Sequence, residues 1–294
     1  MSNKICLITG ANSGIGKVTA RELAKQGMHI IMVCRNQAKG EEARTEILPV
    51  AKGKVDLLTC DLASPDSIVR LARQVYASYS HLDILINNAG LILDKPGYTA
   101  EGFEETFAIN HLGTFLLTNL LLDLVKKGTE PQVITVSSDA HKWGKWDIND
   151  VARPARFKSL TAYANSKLAN ILFASELARR FKAYGITSNS LHPGAVRTNF
   201  GADAGSGLFV WLFNLARPFF LTPEQGAETT IYLATSPEVK KMTGLYFDKK
   251  KPKSPSRDAQ SEVNARKLWE KSEEWTRLSD RMQQLAHAGA GTDG

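Results

Sequence analysis

Tyr163 and Lys167 stand four residues apart in the stretch Thr161 to Tyr184, whose pattern predicts a helix. At that spacing both side chains lie on one helix face. A phenol titrates near pH ~10 and is a poor base at neutrality, whereas a nearby ammonium favours its ionised form. The pair could therefore form a proton-transfer centre, although the same spacing is common on ordinary helices. His111 and His192 are read as structural, because the tyrosine already supplies a proton. Cys6, Cys34 and Cys60 have no CxxC spacing and end apolar strand-like runs, so they read as small core residues, and no metal site is expected.

A second chemistry-bearing pattern opens the chain. Thr9-Gly10-Ala11-Asn12-Ser13-Gly14-Ile15-Gly16-Lys17 is a G-x-x-x-G-x-G turn between a strand and a helix. Glycines let the backbone approach a pyrophosphate, and the helix N-terminus offers N–H groups and the positive end of its dipole. The second strand ends at Cys34 and is followed by Arg35 and Asn36 where an acid would otherwise hydrogen-bond the adenosine ribose. A carboxylate there repels a 2′-phosphate and a guanidinium pairs with it, so NADP(H) is the expected cofactor. Lys17 is expected to add a second cation nearby.

The elements that must position these groups alternate strand and helix. Strands are predicted over Lys4 to Thr9, Met28 to Cys34, Val55 to Cys60, Asp83 to Asn88, Gln132 to Ser138, Ile186 to His192 and Gly244 to Phe247. Helices are predicted to Gln26 and over Gln37 to Leu48, Pro65 to Tyr79, Gly102 to Lys127, Thr161 to Tyr184 and Pro223 to Thr235, with Ser64 as an N-cap. Strands apolar on both faces, each followed by an amphipathic helix, indicate a parallel sheet covered on both sides. The expectation is an α/β, doubly wound, Rossmann-type domain over residues 1–250 with about seven parallel strands. A helical tail, residues 251–294 with its helix from about Asp258 to Ala286, should pack on or beside it.

Several short motifs now fall into order along the chain. TGANSGIG, Asp61-Leu62, Asn87-Asn88-Ala89-Gly90, Asn110, Ser137-Ser138, Tyr163-Ala164-Asn165-Ser166-Lys167 and His192-Pro193-Gly194 resemble the short-chain dehydrogenase/reductase family over roughly residues 4 to 250. The resemblance implies that Tyr163 is the general acid/base, that Lys167 lowers its pKa and holds the nicotinamide ribose, and that Ser138 bonds the substrate oxygen, with Ser137 as its competitor. It implies that Asn110 bends its helix and holds a water linked to Lys167. It also implies that Gly10, Asn12, Ser13, Gly14, Ile15 and Gly16 meet the pyrophosphate, and that Asp61, Leu62, Asn88, Ala89 and Gly90 line the adenosine. Pro193, Gly194, Val196 and Thr198 would border the carboxamide. The 25 positions from Ser138 to Tyr163 exceed the spacing of many members. That loop, with HPGAVRT and LANILFASELARR, looks most like the retinol dehydrogenase group.

The remaining features narrow the partners. The chain has 294 residues, a net charge of +7 and 43% hydrophobic residues, with its cations spread along the sequence, so no nucleic-acid partner is expected. The broken apolar segment Leu208 to Leu221 could cover a lipophilic carbonyl or alcohol, lie on a membrane surface or meet another subunit. A retinal-like aldehyde is the leading substrate, with a sterol, quinone or other carbonyl as competitors. The family resemblance implies homo-oligomers, and the absence of a signal region gives a cytoplasmic expectation. The competing function is an NADP-binding regulatory or interaction protein of the same fold without turnover.

Overall fold

The computed structural model describes residues 4–195 and 221–289. Its sheet runs β3-β2-β1-β4-β5-β6-β7-β8, where β1 is Ile5–Thr9, β2 His29–Cys34, β3 Val55–Thr59 and β4 Ile84–Asn87. The series continues with β5 Gln132–Val136, β6 Thr187–His192, β7 Tyr246–Asp248 and β8 Lys251–Pro252. The first seven strands are parallel. Strand order reverses between β1 and β4, which opens a crevice at the carboxyl ends of those two strands, where doubly wound sheets bind ligands.

Side-chain alternation along the strands divides the core in two. Leu7, Ile31, Val33, Leu85 and Val133 pack with α3 (Pro65–Ser78), α4 (Glu105–Lys126) and α5 (Ser159–Phe181). Their neighbours Cys6, Ile8, Ile30, Met32, Ile84, Ile86 and Ile134 pack with α1 (Gly14–Lys25), α2 (Gln37–Ile47) and α6 (Pro223–Thr235). Period-two alternation thus puts apolar residues on both faces, which is why these strands read as continuous apolar runs. Ser64 caps α3 by accepting from the Ser67 N–H at 3.3 Å. The three thiols are buried, and burial pushes Cys60 up to about 12, so they remain protonated core groups.

Three features depart from the expected pattern. An eighth strand adds antiparallel to β7 through Phe247↔Pro252 and Asp248↔Lys251. Its two-residue turn places Lys249 (φ 49°) and Lys250 (φ 63°) in the left-handed region, a geometry usually announced by Asn-Gly or Asp-Gly, so two lysines hid it. The helical tail is not one run but α7 (Glu262–Thr276) and α8 (Leu278–Gly289), broken where Arg277 turns left-handed at φ 51° with no glycine to signal it. Finally, α4 contains a π turn at Ala108–Leu112. By length and composition α4 could cross a bilayer, but 94% of its apolar stretch is buried within the fold.

The tail is bonded tightly to α4 and α5. Trp269 stacks on Phe173 with centroids 5.8 Å apart, meets Phe115 edge-on at 5.0 Å and lies under the Arg180 guanidinium at 4.7 Å. The α8 helix is tied to α3 by Arg281 to Asp66 and by Arg73 to the Gln284 carbonyl. Truncating a buried tryptophan with these contacts removes both apolar area and ring contacts. Trp269→Ala is expected to lower unfolding stability by about 3–5 kcal/mol in urea denaturation; a loss below about 1 kcal/mol would show that the tail is only loosely attached.

Candidate active site

The carboxyl ends of β1 to β6 and the helices α1, α2, α4 and α5 build the site. At the first, the glycine turn bends β1 back into α1, and a Cβ on Gly16 would collide with the Gly10 carbonyl oxygen and crowd Asn88 Nδ2. Ser13 is the N-cap of α1, yet its side chain makes no capping bond and the first turn holds no acid. A helix start of this kind favours an anion. Asn12 and Ile15 stay partly exposed beside it, with Gly14 at φ 52°.

The crevice is held closed at its base by β1 and β4. Thr9 Oγ1 accepts from the Asn88 and Ala89 N–H groups, both at 3.0 Å, and Asn88 Nδ2 donates to the Thr9 and Gly10 carbonyls at 2.8 and 3.3 Å. Thr9 was not singled out in the sequence, although its position as the last residue before the first glycine was the available signal. Asn87, in contrast, is buried and bonds Thr118, a structural role. Asp61 caps the Ala63 N–H at 3.0 Å and Leu62 is buried against Gly113.

At the end of β2, Arg35 is exposed just beyond Cys34 and has no ion-pair partner among the described residues. Asn36 is instead the N-cap of α2, accepting from the Lys39 N–H at 3.0 Å. Lys17 does not stand free as a second cation: its ammonium pairs with Glu46 at 2.8 Å. Among the described residues, Arg35 offers the uncommitted guanidinium at this corner.

Ser138, Tyr163 and Lys167 meet beyond the end of β5 and in the first turns of α5. Tyr163 is partly exposed and shares a side-chain hydrogen bond with Ser138. Lys167 is 3% exposed; its Nζ donates to the Val136 carbonyl at 3.2 Å and lies 5.7 Å from the Tyr163 ring centre. Ser137 is committed inward, donating to the Lys167 carbonyl at 2.6 Å, which leaves Ser138 as the serine that faces the phenol.

Burial sets the ionisation of this pair. It pushes Lys167 down to about 8 and Tyr163 up to about 12, the Ser138 hydrogen bond pulling the phenol partly back. The expected depression of the phenol by Lys167 is not the dominant effect here, because the ammonium is turned to the Val136 carbonyl and desolvation outweighs it. The resulting phenol is protonated at neutral pH.

Asn110 lies at the centre of the π turn, fully buried. Its Nδ2 donates to the Leu91 carbonyl at 2.8 Å and to Ser166 Oγ at 2.9 Å, and its Oδ1 accepts from the Leu91 N–H at 2.8 Å. The helix is thus locally widened where its side chain clamps the β4 loop to α5, the common setting of a π turn at a functional site. Gly90 sits between the two: a Cβ there would come within 3.0 Å of Lys167 Nζ and 3.3 Å of Asn110 Oδ1. Ser166 and Leu91, which carry this clamp, were missed in the sequence; Ser166 lay in plain view between Tyr163 and Lys167.

Burial lowers both His111 and His192 from the usual imidazole range. His111 is buried, pushed down to about 3, and bonds Ser272 of α7 at 2.9 Å. His192 Nδ1 accepts from the Asp139 N–H at 3.2 Å. Pro193 and Gly194 follow directly at the end of β6, Gly194 with φ 91°, while Val196, Thr198 and the segment from Leu208 to the residue before Leu221 lie outside the described residues.

With this arrangement in place, likeness to other proteins becomes informative. The profile of the family described as short chain dehydrogenase matches residues 4–207. Retinol dehydrogenase 14 of Homo sapiens is 43% identical over 93% of this chain and 86% of its own length, and retinol dehydrogenase 13 of Homo sapiens is 41% identical over 92% and 83%. The WW domain-containing oxidoreductase of Danio rerio is 40% identical over 93% of this chain and 68% of its own. A crystal structure of an uncharacterized protein from Mycobacterium paratuberculosis superposes with a TM-score of 0.76 at 36% identity, covering 94% of each chain. These matches agree with the order of the motifs and with the geometry around Tyr163. The chain belongs to the short-chain dehydrogenase family, in its retinol dehydrogenase group, and is an oxidoreductase acting on CH–OH and C=O groups.

Proposed function

We propose that the protein is an NADP(H)-dependent oxidoreductase of a lipophilic aldehyde, ketone or alcohol, with a retinal-like carbonyl as its leading substrate. The observation that carries this reading is the convergence of Tyr163, Ser138 and buried Lys167 at the carboxyl ends of the strands, next to an uncapped, acid-free helix start. The residues fit a dinucleotide: the Gly10 to Gly16 turn leads into a helix start with no side-chain cap and no acid, which would suit a pyrophosphate, Arg35 offers a cation to a 2′-phosphate, and Asn88 to Gly90 would border the adenosine side. A nicotinamide held there supplies or accepts the hydride. Likeness to the retinol dehydrogenases named above supports the choice of an apolar substrate.

The chain's own residues carry the proton. In the reductive direction the Tyr163 hydroxyl donates to the carbonyl oxygen as negative charge grows there, and the Ser138 hydroxyl bonds the same oxygen. Burial favours the protonated phenol, so this donor is ready at neutral pH. Lys167 would present its ammonium to the ribose hydroxyls of a bound cofactor and would stabilise the tyrosinate that forms, lowering the energy of the charged product. In the oxidative direction the same groups work in reverse, with the tyrosinate as base. Intact Ser138, Tyr163 and Lys167 in bonding arrangement argue against the non-catalytic alternative. The buried free thiols support a reducing, cytoplasmic compartment, and contact with a membrane surface or a second copy of the chain belongs to the same reading through the Leu208 to Leu221 segment.

Three measurements test this. Tyr163→Phe should lower kcat for retinal reduction by about 10²-fold or more while NADPH still binds, as read by fluorescence titration; a variant with full activity contradicts the mechanism. Arg35→Ala should raise the Kd for NADPH about 10-fold or more and leave that for NADH nearly unchanged; a wild-type protein that prefers NADH contradicts the cofactor assignment. The pH dependence follows from Lys167: its ammonium is charged below about 8 and lost above it. Reductive kcat/KM should therefore hold between pH 6 and 7 and fall as pH rises through about 8, and a rate that climbs across that interval contradicts the role of the ammonium.

A further inference from the structure

The catalytic serine stands where the sheet no longer holds the chain. β5 ends at Val136, and beyond Ser138 the chain enters a five-residue 3₁₀ turn, Asp139–Trp143. Something other than strand pairing must hold Ser138 toward Tyr163, because a displacement of about 1 Å at such a group costs about 10²-fold in rate.

His141 is placed to do this. It is fully buried, and each ring nitrogen has one partner: Nδ1 lies 2.7 Å from the Ser138 carbonyl oxygen, and Nε2 lies 3.1 Å from the Ser256 backbone nitrogen. The Ser256 N–H can only donate, so Nε2 must accept and the ring proton must sit on Nδ1, from which it donates to Ser138. The tautomer is set by its partners. A ring protonated on both nitrogens would set a donor against the Ser256 N–H, and burial holds His141 below the usual imidazole range.

The ring is braced in turn. It meets Tyr246 edge-on at 5.1 Å, and the Tyr246 hydroxyl donates to Asp139 Oδ1 at 3.3 Å. On either side of Ser138, the Ser137 N–H donates to the Leu191 carbonyl at 2.7 Å and the Asp139 N–H to His192 Nδ1 at 3.2 Å. Within the turn the Ser138 hydroxyl also accepts from the Ala140 N–H at 3.2 Å, and the His141 ring that grips the Ser138 carbonyl reaches to the strap after β8 that leads into the C-terminal helices.

We propose that His141 is a positioning residue for the reaction: its Nδ1–H fixes the Ser138 carbonyl and its Nε2 anchors the Ser256 amide, which together aim the serine hydroxyl at Tyr163. The proposal rests on the reading of Ser138 given above and adds a residue that does not itself touch substrate. It also ties the 253–257 strap to the catalytic turn, so that the tail contributes to the site through one imidazole.

Three substitutions separate the two halves of the ring. Asparagine reproduces the Nδ1 donor, glutamine reproduces the Nε2 position, and phenylalanine reproduces neither. With NADPH and all-trans-retinal, His141→Phe and His141→Gln should each lower kcat about tenfold or more with little change in the NADPH Kd, and His141→Asn should recover most of that loss. Equal kcat in His141→Phe and the wild type, or an asparagine variant as impaired as phenylalanine, overturns the proposal. A Ser138→Ala variant run beside them distinguishes the failures: if it keeps full kcat, the assignment of Ser138 falls, whereas if it alone loses kcat, only the role of His141 falls. A readout independent of turnover is the ¹⁵N spectrum of ¹⁵N-histidine-labelled protein with His141→Phe as the assignment control. A neutral ring protonated on Nδ1 supports the geometry, and one protonated on Nε2 overturns it.

Discussion

A lysine ammonium buried at the end of a parallel sheet is the constraint around which the rest of this site is arranged. Lys167 is almost fully enclosed, and an enclosed cation is costly unless its protons find acceptors. The Val136 carbonyl, freed at the end of β5, takes one of those protons. Holding the ammonium there requires α5 to sit close over the strand end, which Ser137 secures by bonding the Lys167 backbone, and Asn170 donates to the same Val136 carbonyl at 3.3 Å. Gly90 must lack a side chain because the ammonium and the Asn110 carboxamide already crowd its Cα. The π turn in α4 coincides with this crowding, and from its centre Asn110 bonds Leu91 and Ser166 together.

The burial that shapes the site also biases its chemistry. Desolvation lowers the lysine and raises the tyrosine, so the neutral phenol beside a cation that titrates near neutrality is the resting pair. That pair is suited to give a proton to a developing alkoxide, and the reverse step needs the ammonium to stabilise the tyrosinate. The C-terminal helices reach into this arrangement from outside the sheet: Ser272 bonds His111 next to Asn110, and Ser256 bonds His141 next to Ser138.

How much of this was legible in the sequence depends on how local the signal was. Strands buried on both faces, the glycine turn, the Ser64 cap and the four-residue step from Tyr163 to Lys167 are local patterns, and they placed the sheet and brought Tyr163 and Lys167 onto one helix. The β7–β8 hairpin and the break at Arg277 were hidden because lysines and an arginine adopt left-handed backbone that sequence reading expects of glycine or asparagine. Lys17 was misread because its partner Glu46 is 29 residues away, on the neighbouring helix. The phenol's upward shift was not readable at all, since it arises from enclosure by distant elements, and the same is true of His141, whose partners lie 3 and 115 residues away along the chain.

The account is tested most directly by following the label from NADPH deuterated at the nicotinamide C4, in each epimer, into retinal. It predicts that one epimer delivers deuterium to the former carbonyl carbon of the alcohol product, detected by mass spectrometry, and that the other does not. Alcohol formed without deuterium from either epimer, or no reduction of retinal or any other apolar carbonyl by NADPH, would contradict it.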